Sequence, residues 1–119
     1  MENFDGKIAV ITGGGTGMGR ELTYQLAAEG CHVSICDVIE ENMEETFQEA
    51  TKKYPHVKIT KHLCDVSSEE DVLRFRDEVL EQQETEHINL LFNNAGIGGG
   101  ASFVLSGIEE WERTFKICW

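Results

Sequence analysis

The sequence lacks a long apolar run, a leader segment and an excess of basic residues. It has 119 residues, with 10 Lys and Arg against 22 Asp and Glu and a formal net charge of −12. No apolar run approaches the roughly 20 residues of a membrane-spanning helix, and no basic and apolar segment opens the chain. Nucleic acids and anionic lipids bind through clustered Lys and Arg, so the charge opposes both partners. The sequence therefore predicts a soluble, cytoplasmic protein without a nucleic-acid or membrane partner.

Proline is scarce, and the cysteines and histidines lack the spacings of disulfide frameworks and metal sites. The four cysteines contain no Cys-x-x-Cys pair, and Cys36 and Cys64 fall in runs typical of buried strands. We therefore expect reduced thiols rather than disulfides. The four histidines lack the spacing of metal ligands, so no metal site is predicted. The single proline, Pro55, lies in the loop predicted between the second helix and the third strand.

The most informative feature that is present is a glycine cluster between an apolar run and a helical pattern. Residues 8–11 are apolar, as in a buried parallel strand, and residues 21–28 have apolar positions at helical spacing. Gly13, Gly15 and Gly17 lie between them. Glycines let the chain turn sharply and bring backbone N–H groups against a phosphate at a helix N-terminus. The pattern predicts a pyrophosphate-binding turn.

A second β-like run ends at an acidic residue, Asp37, about 20 residues beyond Gly17. In a dinucleotide-binding βαβ unit, a carboxylate there accepts hydrogen bonds from the adenosine ribose and repels a 2′-phosphate. Thr16 is neutral, and no Lys or Arg stands near Asp37 in the sequence. The pattern therefore favours NAD over NADP.

Strand-like and helix-like segments alternate along the chain. We predict strands at 7–12, 32–37, 57–64 and 88–94, helices at 17–29, 40–53 and 68–83, a loop at 96–107 and a helix from Ile108. Ser67 or Ser68 with Glu70 or Asp71 resembles a capping box at the third helix. Strands alternating with helices predict an α/β fold, in which a parallel sheet has helices on both faces.

Three ordered motifs resemble those of the short-chain dehydrogenase/reductase family. They are Thr12-Gly13-x-x-x-Gly17-x-Gly19, then Cys64-Asp65-Val66 after a strand, then Asn93-Asn94-Ala95-Gly96 after the next strand. The resemblance runs from about Lys7 to Trp119 and covers only the N-terminal, cofactor-binding half of a family member. It implies a Rossmann-type, doubly wound parallel sheet, truncated to four strands in the order 3-2-1-4. The whole of 1–119 would be one dinucleotide-binding domain.

The resemblance also implies a role for each motif residue. The turn that faces the pyrophosphate would contain Gly13, Gly15, Thr16, Gly17 and Met18. Asp37 would hold the adenosine ribose, Asp65 and Val66 would border the adenine, and the Asn94-Ala95-Gly96 turn would lie against the nicotinamide-side ribose. Thr12 and Asn93 would instead tie the central strands together. The implied activity is hydride transfer between NAD, less favourably NADP, and a small alcohol or ketone.

No catalytic residue is assigned. The family's chemistry needs a Ser and a Tyr-x-x-x-Lys pair on one helix face. Tyr54 and Lys58 match that spacing, but Pro55 and the β-like run from Val57 place them in a loop that enters a strand. Residues 96–101 fit G-x-G-x-x-A, yet no helix follows promptly and we expect a loop there. After Trp111, Cys118 stands where the family usually has a catalytic Asn.

Two functions stay open. The chain is either the cofactor-binding part of a short-chain oxidoreductase, inactive alone, or a non-catalytic dinucleotide-binding sensor or interaction module. The sequence stops at Trp119 inside a predicted apolar-faced helix, and the fourth strand lacks its expected outer neighbour. An open sheet edge and an uncovered apolar face favour association. We therefore expect a truncated unit that forms homo-oligomers or depends on a partner.

Overall fold

The structure, a computed structural model, describes residues 4–15 and 17–93. Its elements are β1 (Ile8–Thr12), α1 (Gly17–Ala28), β2 (His32–Asp37), α2 (Glu40–Lys53), β3 (Ile59–Leu63), α3 (Glu69–Gln82) and β4 (Leu90–Asn93). Thr16, the Asn94-Ala95-Gly96 turn, the predicted loop 96–107 and the predicted helix from Ile108 lie outside the described residues.

The four strands form one parallel sheet in the order β3-β2-β1-β4. This confirms the predicted α/β fold with a Rossmann-type strand order. All five residues of β1 are buried, as expected for a central strand with neighbours on both sides. The register pairs Thr12 with Cys36 on one side and with Asn93 on the other. The ends of the three strands are thereby held side by side.

Alternating side chains divide the core between the two faces of the sheet. On the α1–α2 face, the strand residues Ala9, Ile11, Val33 and Ile35 cluster with residues of α1 and α2. On the α3 face, Val10, Cys36 and Cys64 cluster with Val72, Phe75 and Val79 of α3. Helices therefore cover both faces, as the doubly wound prediction requires.

The predicted bounds of two strands were wrong by two residues at their starts. β3 begins at Ile59 rather than at 57, because the Val57 N–H donates to the Tyr54 carbonyl in a turn and pairing begins where Ile59 faces Val33. β4 begins at Leu90 rather than at 88. Asn89 still joins it to β1, since its N–H donates to the Ile8 carbonyl and its Oδ1 accepts the Ile8 N–H. β2 and α2 match their predicted bounds, as do the end of β1 and the start of α1. The start of β1, the ends of α1 and β3 and both ends of α3 differ from prediction by one residue.

The start of α3 confirms one half of the predicted capping box, with Ser68 as the N-cap. The Ser68 hydroxyl accepts a hydrogen bond from the Asp71 N–H at 3.2 Å. The Asp71 carboxylate reaches back to the N–H of Asp65, at 2.9 Å, instead of to Ser68. The helix start is thus tied to the segment that leaves β3.

Within the described residues, β4 pairs only with β1. A groove of about 550 Å³ opens beside it on the α1–α2 face, lined by apolar side chains that include Phe4, Leu22, Leu26 and Phe92. No helix in this described part is long and apolar enough to cross a membrane.

Candidate functional site

The parallel strands bring three separate motifs to one edge of the sheet. β1 leads into residues 13–15 and then into α1, β2 ends at Asp37, and β3 leads to Asp65. The register aligns these ends, since Thr12 pairs with Cys36 and Asp37 pairs with Leu63. In open parallel sheets, ligands bind outside the carboxyl ends of the strands, where the strand order reverses. Here that point lies between β1 and β4.

The glycine turn requires glycine for two different reasons. Gly13 and Gly17 have φ values of 70° and 57°, in the left-handed region that favours glycine. Gly14 has no room for a side chain, because a Cβ there would lie 2.6 Å from the Cβ of Ile35. Its N–H donates to the Cys36 carbonyl at 3.0 Å. The turn is therefore pressed onto β2.

The first turn of α1 is unlike those of the other described helices. It contains no acidic residue, and Met18 in it is exposed. The first turns of α2 and α3 carry Glu40, Glu41, Glu69, Glu70 and Asp71. Carboxylates offset the partial positive charge of a helix N-terminus. At α1 no side chain of the first turn offsets it, which suits an anionic ligand.

The Asp37 carboxylate is held by backbone donors. Oδ2 accepts the Gly15 N–H at 2.8 Å, and Oδ1 accepts the N–H groups of Val38 and Ile39 at 2.7 and 3.2 Å. A Cβ on Gly15 would lie 2.5 Å from Oδ2, so only glycine allows this approach. A carboxylate has about four acceptor sites, so about one is left for a hydroxyl donor. The fixed carboxylate fits the ribose of a dinucleotide, and the glycine turn fits its pyrophosphate.

Asp65 and Val66 face different surroundings. Asp65 is exposed, and its Oδ1 accepts both the N–H and the hydroxyl of Ser67, at 2.9 and 2.6 Å. These hydrogen bonds hold the pKa of Asp65 below its usual range. Val66 is buried in the core of the α3 face. Of the two residues that the motif named, only Asp65 presents its side chain at the edge of the sheet.

An exposed apolar patch lies at the same edge, and sequence reasoning named only one of its residues, Met18. The large apolar side chains that are exposed in the described residues are Met18, Val38, Ile39 and Leu63. Each lies at the carboxyl end of a strand or shortly after it, which is the signal that was available in the sequence. Apolar side chains beside a carboxylate and a glycine turn provide a surface for a planar base.

Comparison with known proteins matches residues 7–119 to the short chain dehydrogenase family. The chain belongs to the short-chain dehydrogenase family. Epidermal retinol dehydrogenase 2 of Homo sapiens is 34% identical over 116 residues, which cover 98% of this chain and 37% of that relative. L-rhamnose 1-dehydrogenase (NADP(+)) of Thermoplasma acidophilum is 32% identical over 117 residues, 98% of this chain and 45% of the relative.

Among solved structures, NAD⁺-bound xylitol dehydrogenase is 28% identical, with a TM-score of 0.79 over 93% of this chain and 50% of that chain. The chain thus spans less than half of the length of the two curated relatives. One of these relatives is named for NADP⁺ and the solved structure holds NAD⁺. Membership of the short-chain dehydrogenase family therefore supports binding of NAD(H) or NADP(H), and the choice between them depends on the site itself.

Tyr54 and Lys58 do not form the helical pair that short-chain dehydrogenases use. Tyr54 is the residue that ends α2, and Lys58 precedes β3. The Lys58 Nζ donates to the Gln82 carbonyl at 3.0 Å and pairs with Glu84 at 3.3 Å. The two side chains share no helix face, which confirms the sequence interpretation.

The described cysteines, Cys31, Cys36 and Cys64, are buried free thiols. Burial raises the pKa of Cys31 to about 11. A hydrogen bond with Cys64 and burial raise the pKa of Cys36 well above its usual range. Thiols that stay protonated are poor nucleophiles and poor metal ligands. Residues 4–15 and 17–93 contain no group of three or more His, Cys, Asp and Glu that could hold a metal ion.

A second polar cluster, which we call the buried polar chain, crosses the α3 face of the sheet. The Gln83 amide donates to Ser34 Oγ at 2.9 Å, and Ser34 Oγ lies 2.5 Å from Thr60 Oγ1. Thr60 Oγ1 is 2.8 Å from His62 Nε2, and His62 Nδ1 is 2.8 Å from Glu78 Oε1. A hydroxyl, an imidazole and a carboxylate in sequence also form hydrolase triads. Here Thr60 is 7% and His62 2% exposed, so no substrate reaches them.

The hydrogen-bond directions in the buried polar chain follow from its last member. With Glu78 ionised and His62 neutral, Nδ1 carries the proton and donates to the carboxylate, so Nε2 must accept. Thr60 then donates to Nε2, and the Ser34 hydroxyl donates to Thr60. Every member is thereby paired, and no buried side-chain nitrogen or oxygen of the described residues lacks a partner. We interpret the buried polar chain as a structural hydrogen-bond network.

Proposed function

We propose that residues 4–93 bind the adenosine and pyrophosphate of NAD(H), as the cofactor-binding part of an oxidoreductase that interconverts alcohols and carbonyls. The observation that carries the proposal is the Asp37 carboxylate, fixed by three backbone N–H groups at the carboxyl end of β2. A ribose has 2′- and 3′-hydroxyl donors for such a carboxylate, whereas a 2′-phosphate would place negative charge against it. NAD(H) is therefore the proposed cofactor, with NADP(H) weaker.

The other proposed contacts follow the geometry. Gly13, Gly17 and Met18 would face the pyrophosphate at the N-terminus of α1. Gly15 would act mainly by clearance and by fixing Asp37, because its N–H is already donated to that carboxylate. Val38, Ile39 and Leu63 of the exposed apolar patch, together with Asp65, would border the adenine. Roles for Thr16 and for Asn94, Ala95 and Gly96 stay proposals that rest on their motifs.

The experiment is calorimetric titration of the chain with NAD⁺ and NADP⁺. We expect NAD⁺ to bind at least about tenfold more tightly, a difference of about 1.4 kcal/mol. Asp37→Asn keeps the size and removes the charge, so it should narrow that gap. Asp77→Asn, at an exposed position on α3, makes the same change of charge and should leave the gap intact. Equal or tighter binding of NADP⁺ by the unaltered chain would overturn the proposal.

When bound, the nicotinamide supplies the hydride acceptor or donor. The described residues would hold the cofactor, and we propose that none of them exchanges a proton with the substrate. This chain alone should therefore form no detectable NADH with a panel of secondary alcohols. Turnover that Tyr54→Phe abolishes would show that the interpretation of Tyr54 and Lys58 is wrong.

A further inference from the structure

Arg20 connects the glycine turn to α2. It lies in α1, and its guanidinium donates to the Gly15 carbonyl at 2.5 Å and to the Asn42 carbonyl at 3.0 Å. Nε donates to Thr46 Oγ1 at 2.8 Å, and Nη1 pairs with Glu45 at 3.1 Å. The Glu45 side chain is 64% exposed, so that ion pair is weak. Thr46 is fully buried, so the contacts to the hydroxyl and the two carbonyls are the ones that fix the guanidinium.

Gly15 is consequently held from both sides. Its N–H is donated to the Asp37 carboxylate, while its carbonyl accepts from Arg20 and, at 3.3 Å, from Thr46. A Cβ on Gly15 would also lie 3.0 Å from the Cβ of Asn42, so the backbone is packed closely against α2. Turning of the Gly15 backbone would break contacts on both sides at once. The position of the Asp37 carboxylate is thus coupled to Arg20 through one glycine.

We propose that Arg20 is a positioning residue for cofactor selection. By fixing Gly15 it keeps the Asp37 carboxylate aimed at the ribose hydroxyls, and its own charge is committed to α2 and to the glycine turn instead of to a phosphate. The inference rests on the proposed nucleotide site. It assigns part of the discrimination against a 2′-phosphate to a residue that does not touch the nucleotide.

Two possible roles of Arg20 predict opposite changes in the preference for ligands without a 2′-phosphate when Arg20 is removed. If Arg20 attracted a 2′-phosphate directly, its removal would weaken ligands with that phosphate more than ligands without it. If Arg20 positions Asp37, its removal lets the carboxylate move away, so the penalty on a 2′-phosphate falls. A general loss of structure would weaken both kinds of ligand by the same factor. The dissociation constant of a ligand with the 2′-phosphate, divided by that of the same ligand without it, therefore separates direct attraction, positioning of Asp37 and general loss of structure.

The test uses 5′-AMP and adenosine 2′,5′-bisphosphate, which differ only in the 2′-phosphate, titrated against the whole chain. The unaltered chain should prefer 5′-AMP by about tenfold or more, about 1.4 kcal/mol. Arg20→Met should reduce that preference to about threefold or less. The preference of Arg20→Lys for 5′-AMP should lie between those of the unaltered chain and Arg20→Met, because an ammonium reaches fewer of the four acceptors than a planar guanidinium. Thr46→Val leaves the charge unchanged and should shift the ratio in the same direction.

Lys52→Met removes one positive charge from an exposed position near the far end of α2 and should leave the ratio unchanged. An unchanged or increased ratio in Arg20→Met would overturn the inference. Failure of the unaltered chain to bind either ligand would instead count against the proposed function. In that case, amide hydrogen exchange without ligand tests whether Arg20 holds Gly15 and the Asp37 carboxylate in place. We expect faster exchange of the Gly15 and Val38 amides in Arg20→Met, with β3 amides unchanged, and equal exchange at all of them would overturn the coupling.

Discussion

The two faces of the sheet bury their side chains by different means. On the α1–α2 face the buried strand side chains are apolar, among them Ala9, Ile11, Val33 and Ile35. On the α3 face the buried polar chain begins at Ser34 and continues through β3 to α3. An apolar core depends on volume, whereas a buried polar chain depends on every hydrogen bond being made. The two faces should therefore fail under different substitutions.

The largest expected effect comes from overpacking the core of the α1–α2 face. Gly14→Ala places a Cβ 2.6 Å from the Cβ of Ile35, and neither backbone can yield easily. We expect a loss of about 3 kcal/mol in the free energy of unfolding, at the upper end of the range for overpacking. Gly6→Ala is the control, since Gly6 has a φ of 74° but open space around its Cβ position. Denaturant melts should show the larger loss for Gly14→Ala, and equal losses would contradict the packing argument.

The next test replaces a Thr by Val on the α3 face and a Val by Thr on the α1–α2 face. Thr60→Val removes the donor to His62 Nε2 and the acceptor of the Ser34 hydroxyl proton, while Gln83 still donates to Ser34 Oγ. Val33→Thr puts a hydroxyl into the apolar face. We expect each to cost about 2 kcal/mol, the usual penalty for an unpaired buried polar group. Thr60→Ser keeps the hydroxyl and should retain most of the stability. A neutral Thr60→Val in denaturant melts would mean that the chain of hydrogen bonds is dispensable.

A smaller effect compares two helix starts. Ser68 caps α3 through its hydroxyl, whereas α2 begins after Ile39, which makes no side-chain cap. Ser68→Ala should cost about 1 kcal/mol, as is typical for loss of an N-cap. Ile39→Ala removes no cap bond and should stay within about 0.5 kcal/mol. Thermal melts would check both, and a larger loss for Ile39→Ala would contradict the capping argument.

The smallest effect concerns pH and the histidine of the buried polar chain. Around His62 lie Glu78 and Phe75 of α3, Cys36 of β2 in register, and Arg74, which pairs with Glu78 at 3.5 Å. Burial lowers the pKa of His62 below its ordinary value of 6.5 and outweighs the opposing effect of Glu78. The unfolded chain therefore takes up the proton at a higher pH than the folded chain does.

This contribution to stability is complete above pH 6.5 and decreases as the pH falls from 6.5 toward the lowered pKa of folded His62. The unfolding midpoint should fall with acidification in that window. His62→Gln should remove this part of the slope, and His56→Gln, at an exposed position, should keep it. A ¹⁵N spectrum of the imidazole above pH 6.5 should show the Nδ1–H tautomer. Identical slopes for the two variants would contradict the prediction.

The fold was predictable where local pattern and chemistry agree. The apolar run of β1, the glycines after it and Asp37 after β2 identified the βαβ unit and its site. Val57 was wrongly placed in β3 because it is apolar and begins a β-like run, although its N–H closes a turn.

Arg20 and the buried polar chain could not be predicted, because their partners are distant in the sequence. Arg20 meets Thr46 across 26 residues, and Gln83 meets Ser34 across 49. A single Arg on a helix, or a Ser and a His in strands, ordinarily indicates a solvent-facing position.

The position of β1 in the sheet has a consequence for synthesis on the ribosome. Its partner β2 follows almost at once, but on its other side the Ile8 N–H is accepted by Asn89, 81 residues later. At about 5–20 residues per second, the nascent chain carries β1 with one unpaired edge for roughly 4–16 s. Contacts this distant also slow folding. The most apolar strand of the sheet is thus a ready substrate for cotranslational chaperones until β4 emerges.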